Sequence, residues 1–530
     1  MNTRWKAVSA AIAVSLSMTA VAQQIQVIPN YQKDNAWYTE AQTRLSEKEV
    51  TNNQFKAKNV IVFVGDGMGI STLTSARILK GQLNGQPGEE EFLAFERFPR
   101  TALVKTYNVD AQTPDSAGTM TAMMSGLKTD VGVIGVNEQV QRGECSTSKG
   151  NEVATALELA EIKGLSTGIV STARITHATP AATYAKSADR NWEDISDMPE
   201  SAINQGCKDI ADQLVNFETY LEQRYTGIDV DGIEVVLGGG RRHFLPKDES
   251  FNSPDAGSAV EGDRTDSRDL TSEWQERYAD GVYVYDQAGF DSLDTASTNK
   301  LFGLFNESHM QYEADRDNDI AGEPSIEQMT ETALNILKKN NKGFFLMVES
   351  GRIDHAHHAG NAAGALTDTL AFEAAIKSAY ENTDPEETLI LVTADHGHVF
   401  TIAGYPKRGN PILGKVVNVG SEEPAEAADG MPYTTLGYTN GRGFMNLATE
   451  TNSDVAYTMD IDTGRKDLTG IDTTSAGYHQ EALIPLSSET HSGEDITLHA
   501  TGPGSQLVQG VVEQSVVFHI INQALGLLDE

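Results

Sequence analysis

Five short apolar runs constrain this chain more than any other feature: Asn59 to Val64, Leu165 to Ser171, Ile233 to Leu237, Gly343 to Glu349 and Leu389 to Thr393. Each ends at or beside Gly, Asp, Glu or Ser and runs on into a helix-like stretch. Strands that are apolar along their whole length are buried on both faces, which predicts a central, mostly parallel sheet flanked by helices on each side, an α/β fold. In such sheets the ligand crevice lies beyond the carboxyl ends of the strands. There, Asp66 follows the first run, Glu349 ends the fourth and Asp395-His396 closes the fifth. An acidic chain punctuates its loops with carboxylates as a matter of course, but that does not account for the histidine.

The 530 residues carry 40 Lys+Arg against 76 Asp+Glu, a formal net charge of −36. This field repels nucleic-acid phosphates and anionic lipid, so it excludes a phosphate-backbone binder, and an anionic substrate needs a locally positive site such as bound metal. Residues 1–22 read as an export signal: Arg4 and Lys6, the apolar stretch Ala7 to Met18, then the small-residue cleavage site Ala20-Val21-Ala22. The stretch is too short and too rich in Ala and Ser for a membrane span, and no later run is apolar enough for one. A product exported to the periplasm or the medium is expected. Export permits a bridge between Cys145 and Cys207, worth about 4 kcal/mol of loop entropy if formed; spacing alone leaves two thiols as the other state.

The catalytic domain is expected to span 23–530, with insertions at about 246–325 and 404–480, where Gly, Asp, Ser, Thr and Asn replace periodic apolar patterning. The second insertion lies between candidate ligands and is expected to form a crown-like subdomain at the site mouth. Asp315, Asp317 and Asp319 alternate as in a calcium loop, but the Gly and distal Glu are misplaced, so they read as a solvated acidic turn.

Five of the 12 His fall between positions 355 and 398. Asp354 and His358 are four apart, and one helical turn puts them on the same face, where a single cation bridges them. His357 points away from that face and reads as a neighbouring or surface residue. Together with Asp395, His396 and the distant His491, the pair makes a two-cation site of mixed N and O ligands, which suits zinc and phosphoryl chemistry. Gly65, Gly67 and Gly69 flank Asp66 without completing a dinucleotide fingerprint, and they let the backbone approach a metal or phosphate. Asp66, Thr179 and Glu349 form an all-oxygen set suited to magnesium. Ser116 follows Asp115 at an expected helix start, where N–H groups and the dipole favour an incoming phosphate. Asp-Ser at such a place is more commonly a plain cap. With no Gly-x-Ser-x-Gly elbow, activation of Ser116 falls to a metal.

In chain order, Val-Gly-Asp66-Gly-Met-Gly, Asp115-Ser116-Ala, His177-Ala-Thr179-Pro, Val-Glu349-Ser-Gly-Arg-Ile-Asp354-His-Ala-His-His358, Thr-Ala-Asp395-His396 and Thr-His491-Ser-Gly-Glu-Asp resemble the motifs of alkaline phosphatases, from about Asn59 to the C-terminus. The resemblance implies a phosphomonoesterase with two zinc ions and one magnesium ion. Asp354, His358 and His491 match the first zinc; Asp395, His396 and bridging Asp66 match the second, beside the nucleophile Ser116; Asp66, Thr179 and Glu349 match magnesium. Arg190, eleven residues after Thr179, matches the guanidinium that grips phosphate. His177 and His355 stand where the best-known bacterial version has Asp and Lys, a pairing that resembles the animal enzymes. Neutral His355 is expected to hold phosphate less tightly than Lys, and His177 to meet magnesium only through water. The family also implies a homodimer, with 404–480 a candidate interface. Ser rather than Thr as nucleophile, and the Thr179/Glu349 pair, favour monoesters over a phosphodiesterase of the same superfamily. No Cys-x-Pro-x-Arg marks a sulfatase, and a non-catalytic exported metal or phosphate binder is the remaining alternative.

Overall fold

The computed structural model describes residues 27–46 and 56–528; the expected export signal at 1–22 lies outside the described residues. Ten strands form one sheet: β1 (Asn59–Gly65), β2 (Arg100–Lys105), β3 (Ser166–Arg174), β4 (Val235–Gly239), β5 (Val282–Val284), β6 (Leu301–Leu304), β7 (Phe344–Ser350), β8 (Thr388–Ala394), β9 (Ile496–Thr501) and β10 (Gly510–Glu513). Their spatial order is β10-β2-β9-β8-β1-β7-β3-β4-β6-β5. Only β9 runs antiparallel to its neighbours, and every other pairing in the sheet is parallel.

The five apolar runs are the five contiguous central strands, β8-β1-β7-β3-β4, and Val60 to Val64, Phe344 to Val348 and Leu389 to Val392 are almost wholly inaccessible. Burial on both faces is why those runs carry no alternation. Helices Ile326–Leu337 and Ala362–Glu381 pack against the central strands and each other, and a second group, Ser116–Ser125, Ala156–Lys163 and Val516–Leu525, covers the opposite face. Helix Ile326–Leu337 shows the local logic. Ser325 Oγ accepts from Gln328 N at 3.2 Å while Gln328 Oε1 accepts from Ser325 N at 2.8 Å, a reciprocal cap, and Ile326, Met329, Ala333, Leu334 and Leu337 form its buried stripe.

The flanking strands differ. β2 alternates, with Ala102 and Val104 buried and Leu103 and Lys105 exposed, as a half-covered strand must. Residues 246–325 supply β5 and β6, so that stretch builds one edge of the main sheet as well as surface loops. Asp315 is buried, not solvated: it accepts from Thr451 Oγ1 at 2.6 Å and Asn318 Nδ2 at 2.7 Å and ties that stretch to the second inserted one. Residues 400–485 carry short ladders of their own: Phe400–Ile402, Leu436–Gly441 and Ala482–Pro485 in a three-stranded sheet, and Met445–Asn446 with Tyr478–His479. Cys145 and Cys207 are joined in a disulfide. Among the described residues, no helix is long and apolar enough to cross a membrane.

Phe63, at the centre of β1, is fully buried and meets Phe372 edge-on with ring centroids 5.8 Å apart. Phe63→Ala is expected to cost about 3–5 kcal/mol, read as a lowered denaturation midpoint at unchanged slope; a loss below 1 kcal/mol would mean that the sheet centre repacks freely.

Candidate metal centre

Three neighbouring strands deliver carboxylates to one point. Val64 of β1 is in register with Glu349 of β7 and with Thr393 of β8, so Asp66, Glu349 and Asp395 emerge together at the carboxyl edge. Gly67 has a positive φ of 69°, and a Cβ there would lie 2.3 Å from His398 Nε2. Only glycine permits that approach, and its N–H donates to Asp395 Oδ1 at 3.0 Å.

Helix Arg352–His358 carries Asp354 and His358 on one face, as the spacing predicts, with His358 Nε2 3.3 Å from Asp354 Oδ1. His491 arrives from far along the chain through a two-residue antiparallel ladder, His491 opposite His398, and its Nε2 is also 3.3 Å from Asp354 Oδ1. Hydrogen bonds decide both tautomers. His358 Nδ1 lies 2.6 Å from the Glu489 carbonyl and His491 Nδ1 lies 2.8 Å from the Pro114 carbonyl, so each Nδ1 carries the proton. The two Nε2 atoms, which then present bare lone pairs, face each other at 3.1 Å. That arrangement is repulsive unless a cation lies between them, and backbone carbonyls orienting the far nitrogens are the usual support of metal-binding imidazoles.

A second convergence joins His396 Nε2 to Asp395 Oδ2 at 3.2 Å, Asp66 Oδ1 at 3.4 Å and Ser116 Oγ at 3.1 Å. In a third, ligand atoms of Asp66, Glu349 and His177 lie within 4.8 Å of one another, and Thr179 Oγ1 is 3.5 Å from Asp66 Oδ2. Asp66 Oδ1 and Glu349 Oε1 are buried without a hydrogen-bond partner. Among the described residues no Lys or Arg pairs with Asp66, Glu349, Asp354 or Asp395. Burial, then neighbouring carboxylates, raises Asp66 well above the ordinary range and pushes Glu349 up to about 8. Burial also raises Asp395; it works against the charge of Asp354 too, but the surrounding imidazoles, with protonated His398 Nε2 2.9 Å from Oδ1, hold Asp354 well below the ordinary range. Desolvation lowers His396 and brings His358 down to about 4, the neutral state a ligand needs. The donor set, the bare nitrogens and the orphaned oxygens fit divalent cations.

Ser116 opens helix Ser116–Ser125, capped by Asp115, whose Oδ1 accepts from Gly118 N at 3.0 Å. Asp115 does more than cap: Oδ2 also accepts from Arg190 Nη1 at 3.1 Å, which tethers that guanidinium to the start of the helix, and Arg190 Nη2 lies 3.2 Å from His177 Nε2. His177 is the imidazole of the third group of candidate ligands. His355 lies at the rim and meets His177 edge-on, with ring centroids 5.6 Å apart. His357 is turned away as expected, but it is buried, bonded to Thr72 Oγ1 at 2.9 Å and Tyr438 Oη at 2.8 Å.

Three participants carry no expectation from the sequence. His398 Nε2 lies 2.9 Å from Asp354 Oδ1 and its Nδ1 2.6 Å from Glu489 Oε2. Burial works against its charge, but those two carboxylates push it up to about 10. Ser171 Oγ donates to Glu349 Oε2. The alternation of His396 with His398 and of Glu489 with His491 was the available signal, since residues two apart in extended chain share a face.

In metal-stripped protein the raised carboxylates leave the folded chain holding protons that the unfolded chain gives up at its ordinary, lower pKa. The contribution of Glu349 to stability is therefore fully present below its unfolded value of 4.5 and is lost as pH rises through its folded value, about 8. Melting curves of chelated Glu349→Gln should lose less stability than wild type between about pH 5 and 8; an equally steep loss would remove Glu349 as the cause.

Residues 57–527 match the family model described as alkaline phosphatase. The chain is 42% identical over 499 residues to the tissue-nonspecific alkaline phosphatase isozyme of Felis catus, covering 94% of this chain and 88% of that protein. It is 41% identical over 505 residues to the human counterpart, covering 94% and 90%. Among solved structures, the alkaline phosphatase of Thermus thermophilus superposes with a TM-score of 0.61 at 23% identity over 92% of this chain and 95% of that one. The alkaline phosphatase of the Antarctic bacterium TAB5 superposes with 0.57 at 22% identity over 89% and 99%. These two share the fold. The family match over most of the length, with two-fifths identity to full-length relatives, establishes that the chain belongs to the alkaline phosphatase family, enzymes that hydrolyse phosphate monoesters.

Proposed function

We propose that this chain cleaves phosphate monoesters in two displacements through a phosphoserine at Ser116, and the observation that carries the reading is the pair of bare imidazole nitrogens facing each other beside that hydroxyl's helix. Two zinc ions, one held by Asp354, His358 and His491 and the other by Asp66, Asp395, His396 and Ser116, with a magnesium ion held by Asp66, Thr179 and Glu349, would supply Lewis-acid charge to the phosphoryl oxygens. Arg190 offers a planar fork to two of those oxygens, pre-aimed by Asp115. The N-terminal N–H groups of helix Ser116–Ser125 stabilise the same negative charge. Ser116 releases its hydroxyl proton to solvent as Oγ attacks phosphorus in line with the alcohol oxygen, whose bond to phosphorus breaks, and the departing alcohol takes up one proton from solvent in return. Water then attacks the phosphoserine, restoring the hydroxyl and releasing orthophosphate.

The Cys145–Cys207 bridge supports export to the periplasm or the medium. The charge of −36 supports a small-molecule substrate rather than nucleic acid. Tyr405, 86% exposed, and Val419, 81% exposed, flank the antiparallel bridge between Pro406 and Asn418, an exposed apolar pair that supports a homodimer through the 404–480 stretch.

With zinc and magnesium supplied, the protein should release p-nitrophenol from its phosphate monoester, faster at about pH 9 than at pH 7 because serine deprotonation gains with pH. Ser116→Ala and chelation should each abolish the release. Metal-loaded protein without turnover would support the binder instead, and faster release from the bis(p-nitrophenyl) diester would support the phosphodiesterase. Light scattering should find a dimer that Tyr405→Asp with Val419→Asp converts to monomer; a monomeric wild type would remove the interface.

A further inference from the structure

His355 is gripped from two sides, by Arg352 of its own motif and by His309, which no motif marks. On one side, Arg352 Nη1 lies 3.0 Å from His355 Nδ1. A guanidinium has no acceptor, so Nδ1 must accept and the proton of the neutral ring must sit on Nε2. Arg352 is itself fixed: Nη2 donates to Asp454 Oδ2 at 2.7 Å, and its guanidinium lies 3.6 Å from the centre of the Tyr312 ring. Tyr312 Oη donates to the other Asp454 oxygen at 2.6 Å, so a single carboxylate holds both neighbours. On the other side, the His309 ring lies 4.1 Å, centroid to centroid, from that of His355. His309 is held in turn by Arg174, whose backbone N–H donates to Nδ1 at 3.1 Å and whose side chain is bound to Glu193 at 2.6 and 2.8 Å. Asp454 belongs to the short helix Ser453–Thr458 of the second inserted stretch, and His309 follows β6 in the first. The first stretch therefore reaches this imidazole directly through His309, and the second reaches it through Arg352. Across the site, His355 faces His177, which touches Arg190.

We infer that Asp454 and His309 are positioning residues that lock His355 as an Nε2–H donor beside the phosphoryl site, so that the two inserted stretches set how tightly product phosphate is held. The inference rests on the hydrolytic reading above. A freely turning imidazole would spend part of its time with a lone pair toward the phosphate oxygens, and it would also pay side-chain entropy on each binding event. A locked donor avoids both costs.

The test is a double-mutant cycle on the zinc- and magnesium-loaded enzyme: Asp454→Asn, His309→Gln, His355→Ala and the two doubles. Three quantities are measured: the competitive inhibition constant of inorganic phosphate, calorimetric phosphate binding in a Ser116→Ala background, and the melting temperature. Asp454→Asn and His309→Gln should each weaken phosphate about 3- to 10-fold, the range of one lost hydrogen bond, and should have no further effect once His355 is Ala. Should Asp454→Asn unfold the chain, Tyr312→Phe, which removes one hydrogen bond to Asp454, carries the same cycle. Unchanged phosphate affinity in the single variants, or the same fold-change with and without His355, overturns the inference. Loss of melting temperature with additive phosphate effects also overturns it, in favour of a purely structural role. A wild-type enzyme that never turns over a monoester fails the hydrolytic reading instead, so the two failures are told apart.

Discussion

Like charges and bare lone pairs packed into a dry pocket are unstable on their own, and this site is built from little else. Asp66, Glu349, Asp354 and Asp395 are buried together, and His358 and His491 aim unprotonated nitrogens at each other. Deep in a protein such groups either bind protons or collect positive charge. The rest of the architecture keeps them converged despite their repulsion. Parallel pairing of β1 with β7 and β8 fixes three carboxylates at one edge, and it is rigid because those strands are buried on both sides. The ladder of His491 with His398 brings the last ligand in across the mouth.

Beside this cage the fold puts two things that an oxyanion seeks: a helix start and an arginine. One carboxylate organises both. Asp115 caps the helix that Ser116 opens and also pairs with Arg190, so the Ser116 hydroxyl and the Arg190 guanidinium share a single support. Removing it would leave a helix without its cap and a guanidinium without its partner, and the hydroxyl and the guanidinium would lose their fixed relation to each other.

The sequence was most informative where burial is complete on both sides. Unbroken apolar runs exposed the five central strands because a doubly covered strand has no polar face to interrupt it. The outer strands stayed hidden for the opposite reason: β2 alternates, and β5 and β6 are three- and four-residue segments inside a loop-rich stretch. Ligand candidates were legible because carboxylates and histidines concentrate at strand ends and helical spacing pairs Asp354 with His358. The supporting residues were not. Ser171, His309 and Asp454 act through partners far away in the chain, and nothing local distinguishes them from ordinary polar residues. Asp315 was misread because its partner Thr451 comes from the other inserted stretch.

The distance along the chain between Asp66 and His491 bears on how the molecule is made. The first carboxylate is synthesised early, the final imidazole only near the end, and the short ladder that seats it cannot pair until nearly the whole polypeptide is present. A nascent or truncated chain thus offers cations only a partial nest, weak and unselective, and firm capture waits for the completed fold. The timing protects the product, because an ion cannot be trapped in the wrong place by a half-built protein if the last ligand is also among the last residues to arrive.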